Sequence, residues 1–337
     1  MAKSKRVLYL YRIRLNDEVK RRLMVWRSIH IIILMLFILA LGGIQARGQE
    51  FPWSLQYVTN MSTINPAYVG MWDRTGFLLS SRTNWVGIKG APLTQQFSYY
   101  TPIKDQTSGI GINVQRKDVG LEKSLFLTGD YSYQIRLDVY NYLRFGFRAG
   151  FVNYDNNLNA YQLYPDLIPD SEFTTDVRQY FMTVFGVGAV LFDDRYHISL
   201  SIPQVINNTF KVNQNGFSSL HELRTVYLSG GYVFRLPSMI MLRPNLLVVA
   251  TVGKPVYFDA SAIIYLPGDL QFGLNLRSNG AMCVTGQYTF KNNVRIGYAS
   301  EYHVIQDIRK FQLGTYEIMV GYDFNLYRKK STRPYYF

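Results

Sequence analysis

The sequence predicts an all-β chain folded as a closed antiparallel transmembrane β-barrel, and three observations predict it. The first is Thr315 to Leu326, where Tyr316, Ile318, Val320, Tyr322, Phe324 and Leu326 alternate with Glu317, Met319, Gly321, Asp323 and Asn325. Successive side chains of a strand point to opposite faces, so this stretch has one apolar wall, with aromatic rings near both ends, and one mostly polar wall. A strand between lipid and a polar lumen needs that pattern. The second is composition: 27 tyrosines and 21 phenylalanines with a mean hydropathy of -0.05, as expected when half of each strand faces lipid and half a polar interior. The third is that no apolar run long enough for a membrane helix follows residue 50.

Taken from the start, the one long apolar run is Ile31 to Leu41, preceded by Lys20, Arg21, Arg22 and Arg27 and followed by Gly42, Gly43 and Ala46. Positive flank, short apolar core and small residues read as a secretory signal peptide over residues 1–48, cut near Ala46 or Gly48. The leader is long, and Met24 would start one of ordinary length. Residues 1–48 hold ten Lys/Arg and two Asp/Glu; the remainder holds 26 against 21, so most of the basic excess belongs to export and not to a nucleic-acid surface. The single cysteine after the leader, Cys283, has no intramolecular disulfide partner and reads as a small apolar residue within a strand.

Residues 49–75 alternate poorly and carry Pro52 and Pro66, which suggests a periplasmic lead-in or plug. The barrel is expected over 76–326, with fourteen strands beginning near Gly76, Gln95, Ser108, Glu122, Tyr142, Arg178, Tyr196, Leu223, Ile240, Val256, Leu270, Ala281, Val294 and Thr315. Single-chain bacterial barrels have even strand numbers. In these strands Leu143, Phe145, Phe147, Ala149 and Phe151 oppose Arg144, Gly146, Arg148 and Gly150; Leu270, Phe272, Leu274 and Leu276 oppose Gln271, Gly273, Asn275 and Arg277. A charge facing lipid at mid-depth costs roughly 2 to 4 kcal/mol, so Asp130, Arg144, Arg148 and Arg295 are expected to line the lumen. With the exported N-terminus taken as periplasmic, the longest connections (155–177, 204–222 and 303–314) follow odd strands and lie outside; the short ones, such as Asp193 to Arg195 and Lys291 to Asn293, are periplasmic turns. Residues 327–337 form a basic tail ending in Phe337.

Two stretches have residue-specific content without strand alternation: Asn65-Pro66-Ala67-Tyr68-Val69-Gly70, and Arg82 to Thr94 with Trp85, Gly87, Gly90, Ala91 and Pro92. Pro66 biases Asn65 away from helix, and Gly87 and Gly90 permit positive φ in the first hairpin loop. With these motifs, together with Gly109-Ile110-Gly111, Asp118-x-Gly120 and the ending Tyr316 to Phe324, the sequence resembles the PorP/SprF family of outer-membrane proteins from the type IX secretion and gliding machinery of Bacteroidota. The resemblance spans almost all of the chain after the leader. It implies a barrel that partners a periplasmic ring lipoprotein and its companion subunit, and in many members an adaptor for a secreted adhesin or other cargo with a C-terminal sorting domain. Asn65, Pro66, Tyr68, Trp85, Gly87, Gly90, Pro92 and Phe337 are the candidate partner contacts.

Catalysis, metal and cofactors find no support. His197, His221 and His303 lack ligand spacing and a neighbouring nucleophile pattern. Gly109-Ile110-Gly111 is too short for a nucleotide loop and reads as strand glycines making room in the lumen. The competing function is a porin or small-solute channel in which Arg144, Arg148 and Arg295 favour anions; outer-membrane lipid surrounds the barrel in either case.

Overall fold

The computed structural model describes residues 54–72, 74–103, 107–157, 176–206, 209–211, 218–221, 224–303 and 313–324. The strands are β1 (Thr75–Thr83), β2 (Leu93–Ile103), β3 (Ser108–Val119), β4 (Glu122–Arg136), β5 (Tyr142–Asn156), β6 (Val177–Phe192), β7 (Tyr196–Ile202), β8 (Thr209–Lys211), β9 (Ser218–His221), β10 (Thr225–Tyr232), β11 (Phe234–Arg235), β12 (Met241–Thr251), β13 (Tyr257–Leu266), β14 (Leu270–Arg277), β15 (Ala281–Thr289), β16 (Val294–His303) and β17 (Thr315–Phe324). β8 and β9 form a separate two-stranded hairpin within the connection between β7 and β10. β10 and β11 are one crossing interrupted at Val233, whose amide bonds Arg195 O, and both halves pair with β12. Fourteen crossings therefore make the wall, each beginning within two residues of its expected position.

The wall is closed. Each of the fourteen crossings pairs antiparallel with the next, β7 with β10 and β10 with β12 across the gaps in numbering, and β1 pairs with β17 from Thr75↔Phe324 to Thr83↔Tyr316. Closure leaves no sheet edge in the hydrocarbon, where an unpaired amide or carbonyl would cost several kcal/mol. Side chains sort as the alternation requires: along β17, Glu317, Met319, Gly321 and Asp323 are buried while Ile318, Val320 and Tyr322 are exposed. The exposed belt is bordered by aromatics. At one edge lie Tyr322 with Phe324, Tyr288 with Phe290, and Tyr232 with Phe234; at the other, Tyr298 and Tyr302 pack on Tyr316.

The connections following β1, β3, β5, β7, β12, β14 and β16 share one end, which holds the three longest. The start of β1 and the end of β17 share the opposite, short-turn end. Asn325, Leu326 and the basic tail with Phe337, like the leader and most of the connections 157–176 and 304–314, lie outside the described residues.

Residues 54–72 are inside the barrel, so their described part is a plug. Three 3-10 turns, Tyr57–Thr59, Met61–Thr63 and Pro66–Tyr68, carry it through the lumen with Tyr57, Val58, Met61, Ile64, Ala67 and Tyr68 buried. These join Val190, Phe192, Leu247, Val249 and Ile263 of the wall in one apolar cluster, which lines the lumen of a membrane protein. The last turn has a local cause. Pro66 presets helical φ at the first position, Asn65 is extended as a residue before proline should be, and its side chain accepts the Ala67 amide at 2.9 Å.

The lipid-facing assignment predicts that Leu274→Arg, at mid-strand on β14, costs about 2 to 4 kcal/mol. Urea unfolding of the barrel in lipid vesicles measures it; a change below about 0.5 kcal/mol contradicts the belt.

Candidate functional site: a filled lumen and two mouths

Polar residues on the inner wall grip the plug along its length. The Arg148 guanidinium pairs with Asp130 at 2.7 Å and donates to the carbonyls of Ser62 (2.5 Å) and Thr63 (2.9 Å). Arg144 donates to Val69 O at 2.9 Å, an oxygen that also accepts the Ser132 hydroxyl. Arg295 pairs with Asp323 at 3.0 Å, donates to Tyr100 Oη, and lies 5.3 Å over the Trp72 ring. The four residues expected in the lumen are buried; the three arginines meet carboxylates, wall hydroxyls or plug residues, and Asp130 meets Arg148 and the Asn113 amide. They are engaged groups and not free charges along an open pore.

Other contacts were not singled out by the sequence. Glu317 accepts the Leu55 amide at 2.7 Å and the Ser54 hydroxyl, fixing the plug's first described residues to β17. Arg277 bridges Asp259, at 2.8 Å, and Glu301, and Asp259 accepts the Tyr57 hydroxyl at 3.1 Å. Alternation puts Glu317, Asp259 and Arg277 on inner faces, but the sequence has no signal for contacts across more than two hundred residues. Cys283 is buried in β15 beside Leu55 and Ala299.

The plug also explains wall glycines. A Cβ on Gly146 would collide with the backbone of Pro66 and Ala67, and one on Gly188 with the Asn65 side chain. The room at Gly109 and Gly111 is taken by Val69 and Gly70.

The candidate partner contacts divide into two places. Asn65, Pro66 and Tyr68 are buried in the lumen, with Asn65 Nδ2 donating to Ala189 O at 3.2 Å and Tyr68 packing edge-on against His197 at 6.0 Å. This corrects their reading as partner contacts: the barrel's own wall covers them. Trp85, Gly87, Gly90 and Pro92 lie in the loop at the long-connection mouth. Asn84 N bonds Pro92 O across its base at 2.9 Å, and Gly87 and Gly90 hold φ of +101° and +77°. Val86 exchanges two backbone bonds with Leu313 and Gly314, and Gly120 N bonds Gly90 O, so the loop is tied to its neighbours on both sides. Trp85 is half-buried and Pro92 buried, while Gly87 and Gly90 are exposed.

At the other mouth, Asp138 organises the turn between β4 and β5 by accepting the amides of Tyr140 (2.7 Å) and Asn141 (2.8 Å). These bonds, with the Asn141 side chain's first, lower the Asp138 carboxyl below its usual value. The turn displays Tyr140, and the Pro237–Met239 turn at the same mouth, beyond the turn between β6 and β7, displays Met239, both strongly exposed.

Among the described residues no His, Cys, Asp and Glu grouping could hold a metal. His197 is buried beneath Tyr68, His303 is half-buried at the end of β16, and only the backbone of His221 is described.

The family described as type IX secretion system membrane protein PorP/SprF matches residues 46–322. The chain belongs to that family. No curated protein sequence matches. Among solved structures, similarity at low identity is found to a Pseudomonas aeruginosa FadL homologue (12% identity, 84% of this chain and 97% of that one, TM-score 0.49). It extends to the Pseudomonas putida toluene transporter TodX (11%, 79% and 94%, 0.44) and the Acinetobacter baumannii outer membrane protein Omp33 (10%, 74% and 98%, 0.42). The PorP/SprF match and the barrel together place the chain in the outer membrane as a type IX secretion component.

The clamp generates two predictions. Purified full-length protein in planar bilayers shows no steady conductance, and Arg148→Ala or removal of residues 54–72 produces it; steady conductance of the intact protein would show that the plug does not seal. Gly146→Val exposes the plug to chymotrypsin, for which Tyr57, Tyr68 and Trp72 are sites, in detergent-solubilised barrels, whereas Gly129→Val, on the outward face of β4, leaves the digestion pattern unchanged.

Proposed function

We propose that this PorP/SprF member is a non-enzymatic adaptor and anchor of the type IX secretion and gliding machinery. Export by the signal peptide in residues 1–48 delivers it to the outer membrane. Its short-turn end faces the periplasm and holds the ring lipoprotein and companion subunit. Its long-connection end faces outward and holds one secreted adhesin or other cargo with a C-terminal sorting domain.

The observation that carries this reading is the plug. A lumen filled by residues 54–72 and fastened by Arg144, Arg148, Arg295 and Glu317 favours a barrel that works through its two end surfaces over one that works as a conduit. The same arginines would be the selectivity groups of an anion-favouring porin, and their bonds to plug carbonyls and acidic partners argue against that use.

Mild-detergent purification of a tagged copy from native outer membranes, with mass spectrometry of what accompanies it, is expected to recover the ring lipoprotein and one large secreted protein. Reproducible recovery of the barrel alone, unchanged by crosslinking, would refute the adaptor role.

A further inference from the structure

The seam that closes the barrel runs on past its last ladder pair, Thr83↔Tyr316. Beyond it Val86 engages two successive residues of the facing connection, donating its amide to Gly314 O at 3.0 Å and accepting the Leu313 amide at 2.8 Å. One residue opposite two is the pairing of a bulge, which bends a strand end and fixes it. Trp85 and Gly314 sit in this joint with φ of +48° and +116°. Glycine is required at 314, where a Cβ would lie 3.0 Å from Glu301 O and 3.2 Å from the Tyr302 ring. Trp85 has no such freedom, so its left-handed backbone is strained and persists only because the bonds around it impose it. Asn84 N donates to Pro92 O at 2.9 Å and Ile88 N to Trp85 O at 3.1 Å; on the outer side, the Tyr316 hydroxyl donates to Leu313 O at 2.8 Å.

Just past this joint β17 takes hold of the plug. Glu317, its third residue, is buried, stands opposite Arg82 in the ladder, and accepts the Leu55 amide at 2.7 Å and the Ser54 hydroxyl. It therefore lies in the part of a strand that frays first when the end loses its partners.

The plug is fastened in two ways as it descends. Residues 54–60 hang on wall side chains: Glu317 at the top, Asp259 for the Tyr57 hydroxyl at 3.1 Å, and Ser98 for the Asn60 amide at 3.0 Å. Residues 62–70 give carbonyls to Arg148 and Arg144 and press backbone against backbone at Gly146 and Gly109. The upper fastening depends on a strand end, and the lower one on close packing at mid-wall and below.

We propose that the Trp85 joint and Glu317 form a latch: displacement of the loop at the long-connection mouth frays the first residues of β17 and frees residues 54–60, while residues 62–70 stay seated. Strain at Trp85 biases the joint toward release. The latch lies wholly within this chain; its use by a secreted protein rests on the adaptor reading above.

The chain carries its own reporter. Cys283, the single cysteine of the sequence, is buried beside Leu55, so its reaction with N-ethylmaleimide in purified full-length barrels reads whether the top of the plug is seated. Val86→Pro removes the amide bonded to Gly314 and no bond of the plug, and it is expected to raise the Cys283 rate by about tenfold or more. Gly314→Ala, which disturbs the joint from the other strand, gives the same rise, as does Glu317→Ala by direct release. Val86→Ala keeps the amide and leaves the rate unchanged. In a Cys283→Ala background, Val69→Cys, buried in the lower plug, stays unreactive with and without Val86→Pro. Heat-modifiable gel mobility identifies the folded variants, and Val86→Pro and Gly314→Ala decide independently if one of them does not fold. An unchanged Cys283 rate in a folded joint variant overturns the link, and an unchanged rate in folded Glu317→Ala overturns the anchor. Reaction of Val69→Cys in the Val86→Pro barrel means that the plug moves as one body, which also overturns the latch. Failure of tagged purification to recover a secreted protein refutes the adaptor reading and leaves these rates untouched.

Discussion

In hydrocarbon every backbone amide and carbonyl must find a partner within the protein, and the rest of this structure follows from that requirement. Helices could meet it one segment at a time, but strands meet it only by closing the sheet, here through β1 with β17 and β10 with β12. Closure fixes the chemistry of both faces. One set of alternate residues touches lipid and is apolar with aromatic borders; the other is shut inside a ring of fourteen strands, where polar groups need partners as surely as the backbone did.

The plug answers that second need. A lumen of this width left to water would hydrate Arg144, Arg148, Asp130, Arg277 and Glu317 without ordering anything. Residues 54–72 instead present main-chain carbonyls and amides to them. The guanidinium fork suits the role, since Arg148 reaches one carboxylate and two successive carbonyls from one side chain. Short 3-10 turns suit it as well, because they leave carbonyls pointing outward from the plug axis. Each side supplies what the other lacks, and the glycines at 109, 146 and 188 bring the two backbones close enough.

A filled lumen moves function to the ends. The long-connection mouth is built from loops tied to each other by backbone bonds through Val86, Gly90 and Gly120, so the Trp85 loop is held by its neighbours and not by its own sequence alone. The short-turn mouth is built from tight turns. Ser238 and Met239 both hold positive φ there, a conformation that costs non-glycine residues about 1 to 2 kcal/mol each, and Met239 stays 85% exposed. No contact within the described chain offsets that cost at Met239.

The sequence alone determined the wall. Alternation has a period of two, lipid tolerates no charge at depth, and each turn has its own signal, so strand positions, facing and the burial of Asp130, Arg144, Arg148 and Arg295 were legible residue by residue. It also marked Asn65-Pro66-Ala67-Tyr68 as special, because an Asn cap before Pro is a local device. What that device touches was decided only by the tertiary structure. Asn65 meets Ala189, Leu55 meets Glu317 and Tyr57 meets Asp259, pairs that no periodicity relates, across a lumen that exists only after the sheet has closed. For the same reason the direction in which residues 54–72 run through the lumen could be read only from the order in which they meet the wall.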